Sequence, residues 1–394
     1  MRNKIFIIPS WYPSEVNPMA GTFIREQIWA VSKFNNDIVQ FVSTWGHESG
    51  HLSFSRPSSI FKSFTWRVRA RKRISYLTKN VIELYRPTLS WSNQLPFGGY
   101  KCVYDVNRRN FLDAMRLGDG VSLIHAHSVY PAGIIASLLS EEFGVPFIIT
   151  EHMGPRNPSL LSPNGFIDEI SAAYKNALKN VVVSEFLGRK LSELAVPNIA
   201  IIPNLVNENA FKLERRIPDR FIYFTLCHMT HVKGVDILLR AIDRISNEPD
   251  IEFWIGGDGP NLSQYKGLAS ELGISHKIRW LGIIDPKDTA GYFQNCDVFV
   301  LPSRYETFGV VLAEAIACGK PVISTRCGGP ESIVNAGNGI LIPKDNVYEL
   351  SIALREIKAN INKFSAKKIR EDFLLRFSTK VVSNQIVSLY RSFN

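Results

Sequence analysis

Two glutamates, Glu306 and Glu314, flank a glycine at the predicted start of a helix, in the stretch YETFGVVLAEAIACGKP. The first amides of a helix have no intrahelical acceptor, and Gly309 lets an anion approach the backbone closely. Carboxylates accept hydrogen bonds from hydroxyl groups. The combination predicts a site that binds phosphate through amides and sugar or ribose hydroxyls through carboxylates. A turn role for Glu306 and an exposed helix position for Glu314 are the alternative.

The elements that must position these glutamates follow a strand–helix–strand order. Apolar strands are predicted at residues 297–301 and 321–324, with a helix between them from Phe308 to Cys318 that Gly319 ends. Strand, helix and strand within thirty or so residues are typical of a parallel sheet. Ligands bind beyond the carboxyl ends of such strands, which is where Glu306 lies.

This stretch resembles the nucleotide-sugar signature of retaining glycosyltransferases of family 4, which have the two-domain GT-B fold. The matching residues are Pro302-Ser303, Glu306, Phe308-Gly309, Glu314-Ala315, Ala317 to Val322 and Gly328-Gly329. The resemblance implies an α/β chain with two Rossmann-like, doubly wound parallel-sheet domains that face a cleft. It also implies that Glu306 contacts the donor sugar as a catalytic residue and that Glu314 binds the ribose. Phe308, Gly309 and Val310 would bind the donor.

Further donor residues follow from the resemblance in the second domain. Lys233 matches the family's lysine for the pyrophosphate and is expected to act in catalysis. His228 occupies the position where arginine is usual, and Cys227 replaces a glycine. Because histidine supplies a positive charge only when it is protonated, we expect donor affinity to depend on pH. The family holds the nucleotide base and phosphates in two loops that match those of Gly257, Gly259 and Gly282 here.

The opening run PSWYPSEVNPMAGTFIREQ also resembles the start of the family. In that family a glycine loop faces the donor. By this match Gly21 and Thr22, at the predicted start of a helix, would contact the donor, although a glycine there is also an ordinary turn residue.

Two predicted strand ends in the first domain carry histidines. The order HAHSVYPAG resembles the family's histidine motif, and TEH its next strand end. The match places His127 near the anomeric carbon as a catalytic residue, with His125 the weaker candidate. His152 and Tyr130 are expected on the acceptor side. A purely structural role for either His127 or His152 is the alternative.

The domain boundaries follow from the family's crossing segment. We predict an acceptor-binding domain at residues 1–203, with a C-terminal helix at 376–394 that packs back onto it, a linker at 204–220 and a donor-binding domain at 221–375. Pro203-Asn204-Leu205 stands where the family has Pro-Asn-Gly.

Composition places the chain among ordinary globular proteins. Its 394 residues are 45% hydrophobic, which is enough for two domains with cores. Five scattered cysteines without a CxxC pair argue against a disulfide framework or a zinc site. No apolar run approaches the roughly 20 residues of a membrane span. We expect a cytoplasmic protein with peripheral association at the inner membrane.

The formal charge of +10 is partly concentrated in residues 52–82, which contain no acidic residue. Arginines and lysines alternate there with aromatic and aliphatic residues, a pattern that suits an anionic membrane surface. Nucleic acid is a competing partner, but no recognised nucleic-acid module accompanies the segment, so we do not expect it. A solvated basic helix is the remaining alternative.

The resulting functional prediction is transfer of a sugar from a UDP- or GDP-sugar to a glycan or lipid-linked acceptor, with retention, in bacterial cell-surface polysaccharide synthesis. No cofactor is expected. No Asp-x-Asp pair with the flanks of metal-dependent transferases occurs at a strand end, which predicts a reaction without metal. A nucleotide-sugar epimerase or hydrolase of this fold is one alternative. An inactive binding subunit is another.

Overall fold

The computed structural model describes residues 3–14, 16–52, 57–92, 95, 97–154, 161–162, 165–214 and 220–393. The chain forms two compact units. The first contains Met1–Pro203 and Val382–Asn394, and the second contains Asn204–Val381.

The first unit is built on a sheet of eight strands. Its strands and helices, with two small two-stranded pairs, are β1 (Asn3–Pro9), α1 (Thr22–Phe34), β2 (Ile38–Thr44), β3 (His51–Leu52), α2 (Pro57–Arg69), β4 (Arg73–Thr78), β5 (Val81–Tyr85), β6 (Ser90–Trp91), α3 (Tyr100–Gly118), β7 (Leu123–His127), α4 (Ile134–Phe143), β8 (Phe147–Glu151), β9 (Leu161–Ser162), β10 (Gly165–Phe166), α5 (Asp168–Asn176), β11 (Lys179–Val182), α6 (Glu185–Ser192) and β12 (Ile199–Ile201). The sheet order is β12-β11-β8-β7-β1-β2-β5-β4. Every neighbouring pair is parallel except β4 with β5.

The strand order reverses beside β1. The chain proceeds from β1 to β2 on one side and from β7 to β8 and β11 on the other. A crevice therefore opens beyond the carboxyl ends of β1 and β7, which is the usual ligand site of such sheets. His127 is the last residue of β7, and Ser10 follows β1.

The basic segment contains more structure than its composition indicates. Helix α2 is followed by β4, which pairs with β5 in an antiparallel hairpin at the sheet edge. The amide of Asn80, in the hairpin turn, donates to the carbonyls of Ser32, Asn35 and Ile38. These bonds fix the hairpin to the junction of α1 and β2.

The second unit is built on six parallel strands. Its elements are β13 (Phe221–Leu226), α7 (Val235–Arg244), β14 (Ile251–Gly256), α8 (Leu262–Glu271), β15 (Ile278–Gly282), α9 (Pro286–Asn295), β16 (Val298–Leu301), α10 (Val310–Ala317), β17 (Val322–Thr325), β18 (Gly339–Ile342), α11 (Val347–Ala359), α12 (Ala366–Phe377) and α13 (Thr379–Arg391), whose last part belongs to the first unit. The sheet order is β15-β14-β13-β16-β17-β18. All pairs are parallel.

Helix α7 illustrates how the sequence builds this unit. Val235, Leu238, Leu239 and Ile242 recur at the helical spacing of three and four residues, and all four are buried. The chain again reverses direction beside one strand, β13, because β14 lies on one side of it and β16 on the other. The loops after β13 and β16 therefore meet at the switch point. These two doubly wound sheets confirm the predicted α/β class.

Gly234, between the β13 loop and α7, is fixed by its surroundings. Its φ is +67°, and a Cβ added there would lie 2.0 Å from the carbonyl oxygen of Pro302. Only a glycine lets the two loops approach this closely.

We predict that Gly234→Ala destabilises the protein much more than Gly273→Ala. Gly273 has a similar φ of +69° but no atom within 4 Å of an added Cβ. The control should lose about 1–2 kcal/mol for the left-handed backbone alone. Urea unfolding of both variants measures the difference, and equal losses would contradict the close loop contact.

Candidate active site

A partly buried ion pair joins the two loops at the switch point of the second unit. The Nζ of Lys233 lies 2.6 Å from Oε1 of Glu306. The Oγ of Ser303 donates to the same carboxylate oxygen at 2.8 Å. Because Lys233 follows β13 and Glu306 follows β16, the sheet topology itself brings together two residues that are 73 positions apart in the chain.

The ion pair keeps Lys233 charged in spite of burial. Burial alone would lower the pKa of Lys233, but the adjacent Glu306 carboxylate outweighs it and raises the pKa. A partly exposed cation of this kind can exchange its carboxylate partner for the oxygens of a diphosphate.

Arg304 was not identified from the sequence, and it holds the Lys233 loop in place. Its guanidinium forms two hydrogen bonds to Asp236, of 2.8 and 2.7 Å, and a third of 2.6 Å to Asp345. Its backbone amide donates to the carbonyl of Val232 at 2.7 Å. An arginine next to the Pro-Ser turn, with an acidic residue at the start of α7, was the available signal.

The segment from Glu306 to Gly309 packs closely against the loop that contains Gly329. The amide of Gly329 donates to the carbonyl of Glu306 at 2.7 Å. A Cβ on Gly329 would lie 2.4 Å from Cα of Phe308, so the glycine lets these backbones pack. Gly309 has φ +94° and precedes α10, whose first amides, beginning with Val310, have no acceptor within the helix.

Glu314 lies on α10, one to two turns after Gly309, and is partly buried. Desolvation raises its pKa from 4.5 to about 7. The alternative that Glu314 is an exposed helix residue is therefore wrong. At neutral pH its carboxyl group is only partly ionised. Hydroxyl donors of a ribose would stabilise its charged form.

The glycines predicted for donor binding have packing roles of their own. A Cβ on Gly257 would lie 1.9 Å from the carbonyl oxygen of Cys227, and one on Gly259 would lie 2.7 Å from that of Met229. Gly282 accepts a 2.7 Å hydrogen bond from Gly257. These contacts place all three glycines around the β13 loop, and their contact with a donor stays a prediction.

His228, the residue in place of the family's arginine, is exposed. Its Nδ1 donates to the carbonyl of Asp258 at 2.8 Å. This bond orients the imidazole and leaves Nε2 as its other polar atom. The expected pH dependence of donor affinity stays a prediction.

Three histidines cluster at the crevice of the first unit. His127 Nδ1 lies 3.1 Å from His152 Nε2, and the two rings stack. His125 is bonded to Tyr390 and Thr150, at 2.7 Å each. Burial lowers the pKa of His125 to about 3 and that of His127 well below its usual range, so both are uncharged at neutral pH. His127 Nε2 is buried with no hydrogen-bond partner among the described residues.

A buried carboxylate, Glu151, positions these histidines. It accepts hydrogen bonds of 2.9–3.0 Å from the amides of Val129, His152 and Met153 and from the hydroxyls of Ser128 and Tyr174. The loops after β7 and β8 are thereby tied to one side chain. The sequence showed Glu151 only as the residue before His152.

The remaining predicted residues also lie in the first unit. Gly21 precedes α1 with φ +65°, and a Cβ there would lie 2.3 Å from the carbonyl oxygen of Trp11. Thr22 begins that helix. Tyr130 follows β7, and burial raises its pKa to about 12. The structure thus brings His127 together with His152, and Lys233 with Glu306, each within one unit.

The described residues offer neither a metal-binding cluster nor a membrane-spanning helix. Among them, no group of three or more histidine, cysteine or acidic side chains is arranged to hold a metal ion. None of the helices within the described ranges is long and apolar enough to cross a membrane.

Two solved structures share this fold over nearly the whole chain. Sucrose-phosphate synthase from Thermosynechococcus elongatus superimposes with a TM-score of 0.73 over 99% of both chains, at 20% identity. Anabaena Alr3699/HepE in complex with UDP and glucose superimposes with a TM-score of 0.68 over 99% of this chain and 100% of that chain, at 18% identity. These likenesses confirm the GT-B fold.

Sequence comparison defines the family. The family described as "Glycosyl transferases group 1" matches residues 207–371, and "Glycosyltransferase Family 4" matches residues 81–210. The uncharacterized glycosyltransferase MJ1178 of Methanocaldococcus jannaschii is 32% identical over 61% of this chain and 67% of its own length. The putative teichuronic acid biosynthesis glycosyltransferase TuaC of Bacillus subtilis is 25% identical over 89% of this chain and 88% of its own length. This chain belongs to the family 4 glycosyltransferases of group 1.

The raised pKa of Glu314 predicts a pH-dependent loss of stability. Folding favours its neutral form, so the loss is absent below about pH 4.5, grows as the pH rises to about 7 and is constant above. Glu314→Gln should therefore be more stable than the parent at pH 8, by up to about 3 kcal/mol, and equal to it at pH 4.5. Urea unfolding at both pH values measures this.

The exposed Glu271→Gln variant is the control, because Glu271 also lies in the second unit. If Glu314→Gln showed the same pH profile as the parent protein, the assigned environment of Glu314 would be wrong.

Proposed function

We propose that this glycosyltransferase transfers a sugar from a UDP- or GDP-sugar, with retention and without a metal ion, to a glycan or lipid-linked acceptor. The observation that carries the proposal is the Lys233–Glu306 ion pair beside the start of α10. At this switch point a cation and helix-start amides suit a diphosphate, and a carboxylate suits the hydroxyls of the sugar.

Each part has a separate role in the proposed reaction. Lys233 and the first amides of α10 stabilise the negative charge that develops on the leaving diphosphate. Glu306 accepts hydrogen bonds from the sugar, and Glu314 from the ribose. His127 is uncharged, and its buried Nε2 has no partner among the described residues, so it can form a hydrogen bond with a hydroxyl of a sugar bound at the crevice of the first unit.

The relatives support a role in cell-surface polysaccharide synthesis. TuaC, which matches along most of the chain, is a putative teichuronic acid biosynthesis glycosyltransferase, and HepE was solved in complex with UDP and glucose. We accordingly place this enzyme in the assembly of a bacterial surface polysaccharide, with UDP-sugars as the first donors to test.

The basic segment supports docking at an anionic membrane surface. Phe61, Phe64 and Val68 are exposed on α2 at the spacing of one helix face, and their exposed fractions are 74%, 49% and 69%. Basic residues of the same helix are exposed beside this face, and Ile74 and Tyr76 on β4 are exposed as well. Such a surface matches the headgroup region of an acidic leaflet.

The proposed activity is tested with a panel of UDP- and GDP-sugars, in EDTA, by release of the nucleoside diphosphate and by NMR of the product. We expect release in EDTA and a product with the anomeric configuration of the donor. A requirement for added magnesium or manganese would contradict the metal-independent mechanism. Epimerised donor, or free sugar despite a suitable acceptor, would favour an epimerase or a hydrolase. Donor binding without turnover would favour an inactive subunit.

We predict that Lys233→Ala and Glu306→Ala each lower turnover at least about 100-fold, because each removes an interaction that contributes roughly 3 kcal/mol in the transition state. Lys287→Ala is the matched control, since Lys287 is an exposed lysine of the same unit that pairs with Asp285. Thermal unfolding checks that each variant is folded. Near-parental turnover of both folded variants would refute the site.

Membrane docking predicts that the protein sediments with vesicles that contain acidic lipid and much less with neutral ones. Arg67, Arg69 and Arg71 are exposed, and each basic residue near such a surface contributes about 1 kcal/mol. Replacing all three with Gln should release the protein without changing donor turnover. The control replaces the exposed lysines 266, 363 and 368 of the second unit. Equal sedimentation with both kinds of vesicle would remove the electrostatic claim.

A further inference from the structure

Two cavities of the first unit share Tyr12 and His47 as wall residues. Their volumes are about 350 and 360 Å³, within the range of small-molecule sites. Tyr12 follows β1, His47 follows β2 and Tyr85 ends β5, so both cavities lie at the carboxyl edge of the sheet. They occupy the edge at which ligands of such sheets bind.

The first, which we call the aromatic cavity, is lined by Trp11, Tyr12, Trp45, Trp91 and Tyr130, with hydroxyls from Ser10 and Ser90. Trp45 is held by the stacked ring of His47, whose centroid lies 3.9 Å away. A sugar ring has apolar C–H faces and a rim of hydroxyls. Flat aromatic walls with a few polar groups suit both features.

The second, which we call the arginine cavity, contains two buried donors that no described residue satisfies. Arg25 Nε and the Tyr12 hydroxyl are both buried, and neither has a hydrogen-bond partner among the described residues. Arg25 also forms no salt bridge with any described carboxylate; its guanidinium lies over the ring of Trp29. A buried donor without an acceptor is destabilising, and an acceptor atom of a ligand would remove that cost.

The described residues that line the arginine cavity carry a net positive charge. Arg25 and Arg73 line it, against one carboxylate, Glu83, which lies 3.8 Å from Arg73. His47 contributes no charge at neutral pH, because burial lowers its pKa to about 4. The excess of one positive charge, next to two unsatisfied donors, favours an anionic group over a neutral hydroxyl.

We propose that the two cavities together bind the acceptor as an acidic saccharide, with a sugar ring against the aromatic walls and its anionic group at Arg25 and Tyr12. The inference rests on the proposed glycosyl transfer and narrows its acceptor to sugars that carry a carboxylate or a phosphate. Trp66 and Arg73 bring the basic segment into the wall of the arginine cavity. The segment thereby serves acceptor recognition as well as membrane docking.

The test is calorimetric titration of the full-length protein, without donor, with three probes that share one ring. These are methyl glucoside, methyl glucuronide and methyl glucoside 6-phosphate. We expect at least one anionic probe to bind about tenfold or more tightly than the neutral one. The tighter of the two shows whether the anion is a uronic acid or a sugar phosphate. Equal affinities, tighter binding of the glucoside or no binding of any probe would overturn the proposal.

Variants assign the binding to these cavities. Arg25→Gln should remove the preference for the anionic probes, while Trp91→Ala should weaken all three. Arg109→Gln, which removes an exposed arginine paired with Asp105 on α3, should change nothing. Arg73→Gln provides a second arginine variant if Arg25→Gln does not fold. A preference that survives both substitutions in folded proteins would overturn the assignment.

The binding experiments distinguish a failure of the acidic-saccharide proposal from a failure of the proposed glycosyl transfer. Donor turnover together with no binding of the acidic probes would overturn this inference alone. Binding that is sensitive to Arg25, in a protein that turns over no nucleotide sugar, would contradict the proposed transfer and leave the acidic-sugar site in place.

Discussion

The partly buried ion pair between Lys233 and Glu306 is the interaction on which the proposed donor site depends. Each charge alone would be costly to bury, and each makes the burial of the other tolerable. Their positions follow from the sheet, because β13 and β16 are neighbours from which the chain proceeds in opposite directions. The pair therefore links the fold of the second unit to its chemistry.

The surroundings of the pair leave its geometry little freedom. Arg304 ties the Lys233 loop to Asp236 and Asp345, and Gly234 and Gly329 allow backbone contacts that no larger residue would permit. Sites that act by electrostatic stabilisation need groups held in place before the reaction. In the first unit Glu151 has the corresponding part, because it fixes the loops that carry His127 and His152.

The sequence predicted the strands and helices that carry the site within one to three residues, because each combines an apolar run with a glycine or proline boundary. It missed α3, whose buried face includes Asn107 and Asn110, so the apolar period is interrupted. It missed β4, a strand that is largely exposed on both faces and in which buried and exposed residues do not alternate. It named Lys233 and Glu306 separately, but their pairing depends on strand order, which is not a local property.

The affinity of Lys233→Met and of Glu306→Gln for UDP, measured by calorimetry, tests the assigned roles of these two residues. UDP carries the diphosphate but no sugar. If Lys233 binds the diphosphate and Glu306 the sugar, Lys233→Met should weaken UDP binding at least about tenfold. Glu306→Gln should leave it unchanged or strengthen it, because a negative charge beside the diphosphate is removed. UDP binding that is unaffected by Lys233→Met, or that is lost equally in both single variants, would contradict the account.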